Sequence, residues 1–367
     1  MATANGTPSG PSRREFLKSS AAVVGAAAGL LASGDFAHAA GRESRAVIIG
    51  EGKHRYAADH NWARLPPGKR FGYTHGVIED SKGRIFIANQ SPDAIMVFDA
   101  DGNFLNSWGA AYEKGAHGLT LLRENGEEIL ILANTKLAEV VKTTLEGDVI
   151  WRITTPDLPD IYTDEKKFSP TETAVGPDGR VYVADGYGQS WVHIYDRDGK
   201  YLHSFGGPGE GEENLNQPHG ISIDWRSGDP VVQVSDRQNV RIANFTLDGD
   251  YIETVIPPSE LRFPCTTIQD HGELYIPDLF ARVSIFDKDN KKIIDLGDYV
   301  DGKPLTQWSD FGTTYPDLKG YPNIPHEKRI DGKFSSPHGL RVDHLGNVYV
   351  VEWIEDGRVT KLTRVEG

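Results

Sequence analysis

Four His-Gly pairs recur along the chain: Thr74-His75-Gly76, Ala116-His117-Gly118, Pro218-His219-Gly220 and Pro337-His338-Gly339. Each opens a stretch that reads as strand, turn, strand, so each imidazole enters at the same point of an internal repeat. If the repeats close into a ring, side chains at that point share one axis. Three neutral imidazoles on an axis can hold Zn²⁺ with Zn–N distances of about 2.0–2.1 Å, leaving the open fourth position of a catalytic site. Four would favour iron or another redox metal such as copper. A single His-Gly pair has a plainer role, packing in a channel and hydrogen-bonding a carbonyl; recurrence on alternate repeats favours the metal.

The elements that must place these residues follow from the repeat. Units begin near His75, His117, Thr171, His219, Cys265 and His338, at spacings of 42, 54, 48, 46 and 73 residues. The third unit is the clearest. Thr173-Ala174-Val175 leads to the turn Pro177-Asp178-Gly179 and then Val181-Tyr182-Val183-Ala184-Asp185. Val192-His193-Ile194-Tyr195, the turn Asp196-Arg197-Asp198-Gly199, and Tyr201 to Gly206 complete it. Alternating apolar residues between tight Gly turns mark short antiparallel strands. Four such strands per period of about 40–50 residues mark a propeller blade. The expectation is an all-β, six-bladed β-propeller, with an open sandwich as the alternative. Only three strands fit between His338 and Gly367, so Arg45-Ala46-Val47-Ile48-Ile49 is expected to supply the last blade's outer strand. Joining the two ends in one blade removes free sheet edges.

In such a ring the start of each first strand and the end of each second strand lie on one face. His117, His219 and His338 fall on blades two, four and six, about 120° apart in a six-fold ring. His75, on blade one, is a fourth ligand, a group behind the ligands, or a substrate contact. Cys265 shares the register and reads as a small buried filler. The second strands end in Asn89, Asn134, Asp185, Asp236, Asp278 and Glu352. Arg241, Arg282 and Arg358 follow three of them, so the carboxylates read as structural clamps. Tyr187 and Arg237 stand just past second strands on the histidine face. A phenol beside a divalent cation ionises more readily and could act as a general base. A guanidinium there could grip a substrate carboxylate with paired hydrogen bonds.

The first residues read as an address. Ser12-Arg13-Arg14-Glu15-Phe16-Leu17-Lys18 is a twin-arginine export motif, followed by an apolar stretch from Ala21 to Ala32 and a cleavage signal at Ala37-His38-Ala39. Residues 1–39 are therefore expected to be a signal peptide that engages the twin-arginine translocase, and 40–367 a single propeller domain in the periplasm or outside the cell. The apolar stretch is short for a membrane span, so no stable membrane association is expected. The chain carries a formal charge of −14; the leader contributes Arg13, Arg14 and Lys18 against Glu15 and Asp35, which leaves the mature part near −15. That acidity argues against nucleic acid and anionic membrane surfaces as partners. The single cysteine, Cys265, excludes an internal disulfide.

These residues carry a resemblance. The blades resemble NHL-type propellers. More narrowly, His75 to Glu352 is similar to the catalytic core of peptidyl-α-hydroxyglycine α-amidating lyases, most closely over Pro170 to Ile242. The markers are Asp185-Gly186-Tyr187, Pro218-His219, Ser235-Asp236-Arg237-Gln238-Asn239-Val240-Arg241-Ile242 and Pro337-His338. The resemblance implies zinc on His117, His219 and His338, Tyr187 as catalytic base and Arg237 as an active-site arginine. The family reaction splits the C–N bond of an α-hydroxyglycine, releasing an amide and glyoxylate. Several positions depart from the family. Gln90 stands where it has a second arginine, leaving Gln90 and His75 as altered substrate contacts. Ser336 replaces a methionine, and Gly339 replaces the acid that serves a channel Ca²⁺.

The expectation is an exported, zinc-dependent, lyase-like enzyme acting on a small polar or carboxylate-bearing molecule. A four-histidine redox enzyme and a non-catalytic binding or scaffold propeller are the alternatives. The segment 298–336, with Trp308, Phe311, Tyr315, Tyr321 and His326, is too long for a blade connection and is expected to cover the channel mouth.

Overall fold

In the computed structural model, which describes residues 47–301, 324 and 326–365, the chain folds as six antiparallel sheets. The first strands are Thr74–Glu79, Ala116–Glu124, Glu172–Val175, Pro218–Asp224, Ile268–Asp270 and Pro337–Val342, in blades one to six. In blades one to five the strands pair in sequence order from the innermost outward. The fold is a six-bladed β-propeller, as expected.

The hairpins close with local chemistry. Asp80, Asp99 and Asp196 each accept the backbone N–H two and four residues on through Oδ1, at 2.8–3.0 Å. The glycine three residues after each adopts positive φ, at 74°, 86° and 84°, a conformation glycine enters without a Cβ penalty. The core lies in apolar seams between blades. Tyr182, Phe205 and Phe245 pack between blades three and four, and Ile78, Phe86, Leu130 and Leu132 between blades one and two.

The ring closes through the N-terminal region, by a different strand from the one expected. Tyr56–Asp59 pairs with Arg358–Arg364, while Val47–Ile49 lies one place further out, against Tyr56–Asp59. Burial explains the choice. Tyr56 and Ala58 are buried in the seam with Tyr275, Phe334 and Leu362, whereas Val47 and Ile48 are exposed. The triplet Val-Ile-Ile is the more apolar, but the alternation of Tyr56 and Ala58 matches the seam's two-residue period.

His60 locks this closure. Its Nε2 accepts the Gly332 N–H (2.8 Å) and its Nδ1 lies 2.7 Å from Thr360 Oγ1. Burial, followed by the charge of Arg358, pushes the imidazole down to about 4; a protonated Nε2 could no longer accept from Gly332.

The expected signal peptide and most of segment 298–336, including Trp308, Phe311, Tyr315 and Tyr321, lie outside the described residues. Of the aromatic and histidine residues named there, His326 is described, in an exposed 3₁₀ turn. The segment's two ends are anchored near Cys265: Val300 and Ile324 pack with Phe263, Cys265 and Phe280, and Asp298 pairs with Arg262 (2.9 Å). Among the described residues no helix is long and apolar enough to cross a membrane.

Two outcomes follow for stability. Tyr56→Ala should cost about 3–5 kcal/mol, as for other fully buried aromatics, and Val47→Ala no more than about 0.5 kcal/mol, as read by urea denaturation. His60 has a folded pKa below its unfolded value, so its contribution is complete above pH 6.5 and is lost as pH falls toward about 4. The wild-type unfolding free energy from urea denaturation should therefore fall through this window, by at most about 1.4 kcal/mol per pH unit from this residue. His60→Gln should flatten the slope.

Candidate metal centre

In five of the six blades the segment leading into the first strand is held by the end of the second. Asn89, Asp185, Asp236, Asp278 and Glu352 each accept a backbone N–H from that segment, from Gly72, Ser169, Asn216, Phe263 and Ser336, at 2.5–3.1 Å. In blades four to six an arginine clamps the acceptor: Arg241 on Asp236 (2.8 Å), Arg282 on Asp278 (3.1 Å) and Arg358 on Glu352. These carboxylates are structural, as the sequence indicated. Asp185 has no such arginine. Tyr162 and the backbone N–H groups of Ser169 and Gln189 hydrogen-bond it instead, and burial pushes it up to about 6.

So placed, the four histidines converge. His117, His219 and His338 have ring centroids 4.7–4.9 Å apart, and His75 lies 4.4 Å from His117 and 4.6 Å from His338. All four are buried. On the even blades the orientation follows one rule: Nδ1 donates to the backbone carbonyl of the residue that starts the next blade. His117 reaches Thr171 O (2.7 Å), His219 reaches Cys265 O (2.9 Å) and His338 reaches His75 O (3.3 Å). His75 breaks the rule, bonding Tyr73 O on its own blade (3.1 Å). A carbonyl can only accept, so the proton sits on Nδ1 and Nε2 keeps a lone pair that can accept a hydrogen bond or meet a cation; such outer contacts fix both tautomer and aim.

The glycine after each even-blade histidine is explained by the same contact. A Cβ on Gly118 would stand 2.5 Å from Thr171 O, on Gly220 2.4 Å from Cys265 O and on Gly339 2.1 Å from His75 O. No side chain fits where the orienting carbonyl must approach.

Tyr187 and Arg237 join the cluster. The Tyr187 hydroxyl lies 3.3 Å from His117 Nε2, 3.0 Å from His219 Nε2 and 3.4 Å from Arg237 Nη1. Tyr187 is 43% exposed as a residue, while its hydroxyl sits among the imidazoles. Burial there raises its pKa, opposed by the Arg237 charge. Arg237 is buried over the Phe263 ring, with Nη2 3.0 Å from Cys265 Sγ. Among the described residues no carboxylate pairs with it. Gln90 lies just past blade one's second strand, its backbone N–H on Tyr73 O (3.0 Å), and none of its side-chain atoms is seen to contact the cluster.

Burial pushes His75 down to about 3 and holds His117, His219 and His338 well below the ordinary histidine value, with their mutual repulsion adding to it. The imidazoles are neutral, the state a metal requires. His338 Nε2 is buried without a hydrogen-bond partner. A buried polar atom without a partner costs about 1–3 kcal/mol, and a cation would satisfy it. Donor atoms of His75, His117 and His338 lie within 4.8 Å of one another, as do those of His219, Cys265 and His338. Each of these two sets fits a metal ion; His117, His219 and His338, the three expected to share one, do not fall together in either set.

Cys265 is buried in the core, as read from the sequence; its thiol also lies beside Arg237 and near the donors of His219 and His338, and burial pushes it up to about 11. One participant was missed in the sequence. Glu172 stands where four other blades have Gly76, Gly118, Gly220 and Gly339, and where the remaining blade has Thr266. An acid in that ring of small residues was the available signal. Burial raises its carboxyl to about 8. It lines a cavity of about 410 Å³ that runs from His75 along the first strands to Trp225 and Arg341. Tyr187 and Arg237 do not line this cavity, which approaches the imidazoles from the opposite end of the channel.

Comparison with known proteins agrees with this architecture. Residues 164–308 match a family described as a 6-bladed beta-propeller. Over 224 residues the chain is 28% identical to NHL repeat-containing protein 3 of Homo sapiens, covering 57% of this chain and 63% of that protein. The chain thus spans less than two thirds of that relative's length. Among solved structures, a virginiamycin B lyase from Staphylococcus aureus is 17% identical and aligns over 84% of this chain and all of that chain with TM-score 0.54. A gluconolactonase from Xanthomonas campestris is 12% identical, over 88% and 96%, with TM-score 0.57. The chain is a six-bladed β-propeller with NHL-repeat homologues, and its fold is shared with lyase and lactonase enzymes.

Gly339→Ala should force the His75 carbonyl away from His338. The expected result is a loss of about 1–3 kcal/mol in thermal or urea unfolding, typical of overpacking. The affinity for divalent metal, measured by calorimetric titration, should fall with it.

Proposed function

We propose that this chain is an exported, metal-dependent, lyase-like enzyme acting on a small polar molecule that bears a carboxylate. The observation that carries the reading is the meeting of three candidate roles at one atom. The Tyr187 hydroxyl touches the Nε2 atoms of two histidines on different blades and the guanidinium of Arg237.

His117, His219 and His338 would hold the ion through Nε2, with their Nδ1 atoms committed to carbonyls. Zn²⁺ suits three imidazoles and an open position, and iron or copper is the alternative; no Ca²⁺ role is assigned, since Gly339 offers no carboxylate. The bound ion would supply Lewis acidity, polarising a substrate oxygen and favouring ionised forms nearby. Tyr187 would take the proton of the substrate's hydroxyl through its phenolic oxygen, assisted by the Arg237 charge. Arg237 would bind the carboxylate. A buried guanidinium without a carboxylate partner is an unsatisfied charge, and an anionic substrate would answer it. The exposure of Tyr187 supports entry from its side of the ring.

The resemblance to amidating lyases at Tyr187, Arg237 and the even-blade histidines supports C–N bond cleavage as the reaction type. Gln90 and Gly339, at changed positions, support a different substrate. The fold neighbours support a lyase or lactonase class more broadly. One virginiamycin B lyase structure is of a catalytically inactive variant with alanine in place of a histidine. Export to the periplasm or beyond rests on the motif from Ser12 to Lys18.

A second reading is favoured by His75, whose donor lies within 4.8 Å of those of His117 and His338: four imidazoles holding a redox metal. If neither reading holds, a binding or scaffold propeller remains. Then Tyr187 and Arg237 variants would alter a partner's affinity and no turnover.

Metal analysis of the purified mature protein decides among these. About one Zn²⁺ per chain, lost in His219→Ala and retained in His75→Ala, supports the lyase reading. Coloured iron or copper protein that loses its metal in His75→Ala selects the redox reading, and a folded protein free of metal sinks both. Once a substrate is found, Tyr187→Phe should lower kcat by about 10²–10⁴ with metal content unchanged. Arg237→Ala should raise KM about 10- to 100-fold, the size of a lost charged hydrogen bond.

A further inference from the structure

The donors around the axis form two overlapping sets. His75, His117 and His338 are one; His219, Cys265 and His338 are the other; within each, the donor atoms lie no more than 4.8 Å apart. His338 belongs to both, and its Nε2 is the buried atom without a partner. We propose that the ring offers one ion two alternative positions, an all-nitrogen one and a nitrogen–sulfur one in which Cys265 ligates as thiolate. This rests on the reading that the ring holds a metal, and it sets the ion on donors other than the His117, His219 and His338 set proposed above.

Three further observations bear on Cys265. It occupies the ring position of blade five, where the histidines stand on blades one, two, four and six, so the repeat points its side chain at the same axis. Its carbonyl orients His219 (2.9 Å), which couples two of the three protein ligands of the second position. Its Sγ lies 3.0 Å from Arg237 Nη2, and a cation beside a thiol favours the thiolate. Burial alone keeps the thiol protonated, and a bound metal ion reverses that balance. On binding, one metal–sulfur bond forms and the thiol proton passes to solvent; no oxidant or reductant is needed.

The two positions differ in character. Three imidazoles suit borderline ions of many kinds, whereas a thiolate draws softer ones. Tyr187 lies between them, its hydroxyl on His117 Nε2 from the first set and His219 Nε2 from the second. An ion in either position takes one of these lone pairs and leaves the hydroxyl the other. The identity of the ion would then set which histidine Tyr187 faces, and how far Arg237 is held by sulfur rather than left for substrate.

The test is anaerobic titration of the metal-stripped mature protein with Co²⁺, read by absorption. The expected result is visible d–d bands together with a near-ultraviolet thiolate-to-cobalt charge-transfer band. In Cys265→Ser the charge-transfer band should disappear while the visible bands persist. Thermal melting of the variant confirms that it is folded, and the wild-type band stands by itself if it is not. Visible bands without charge transfer in the wild type would overturn the sulfur position and leave the metal reading standing. No Co²⁺ binding at all would overturn both, as would a charge-transfer band that survives in folded Cys265→Ser for the role of this cysteine.

Discussion

The centre depends on one contact repeated around the ring: an imidazole N–H given to the carbonyl that begins the next blade. It fixes the tautomer, aims Nε2 at the axis and ties neighbouring blades together, all through a bond of 2.7–3.3 Å. It also dictates sequence, because the carbonyl approaches the residue after the histidine so closely that only glycine fits. The His-Gly pair is thus one device, with a ligand and the clearance its orienting partner needs. His75 has the glycine, which clears Leu119 and the His117 carbonyl. It bonds its own blade instead, which sets it apart from the even-blade three.

The electrostatics of the channel follow from burial. Four imidazoles, a phenol, a thiol and the Glu172 carboxyl are kept in their neutral forms by the cost of desolvating charge. Arg237 is the exception, remaining charged among them with only neutral partners within the described residues. Moving a charge into such surroundings costs several kcal/mol unless it is paired. The site therefore has free lone pairs and one unanswered positive charge, the pattern expected of a place that receives a cation and an anion together.

Much of this was legible in the residues. The period of the His-Gly pairs set the blade number, and alternate-blade placement followed by counting. The carboxylate clamps of Asp236, Asp278 and Glu352 were readable because their arginines sit four to six residues on, within one hairpin. Ring closure was read to the right region and the wrong strand, since apolar content favours Val47–Ile49 while seam geometry selects Tyr56–Asp59. Cys265 is buried in the core as read, but its contact with Arg237 was not legible, because that neighbour lies on another blade. Glu172 was overlooked although its ring position differed from every other blade.

By itself the sequence determined the elements and their repetition, because hydrophobic alternation and Asp–Gly turns act over a few residues. That was enough to put four imidazoles, a phenol and a guanidinium on one face of a ring. Tertiary structure alone decided which carbonyl orients each imidazole and that Tyr187 bridges His117 and His219. It also decided that Arg237 finds sulfur rather than a carboxylate. Those relations span blades far apart in the chain, and their distances are set only when all six sheets pack and the ring closes.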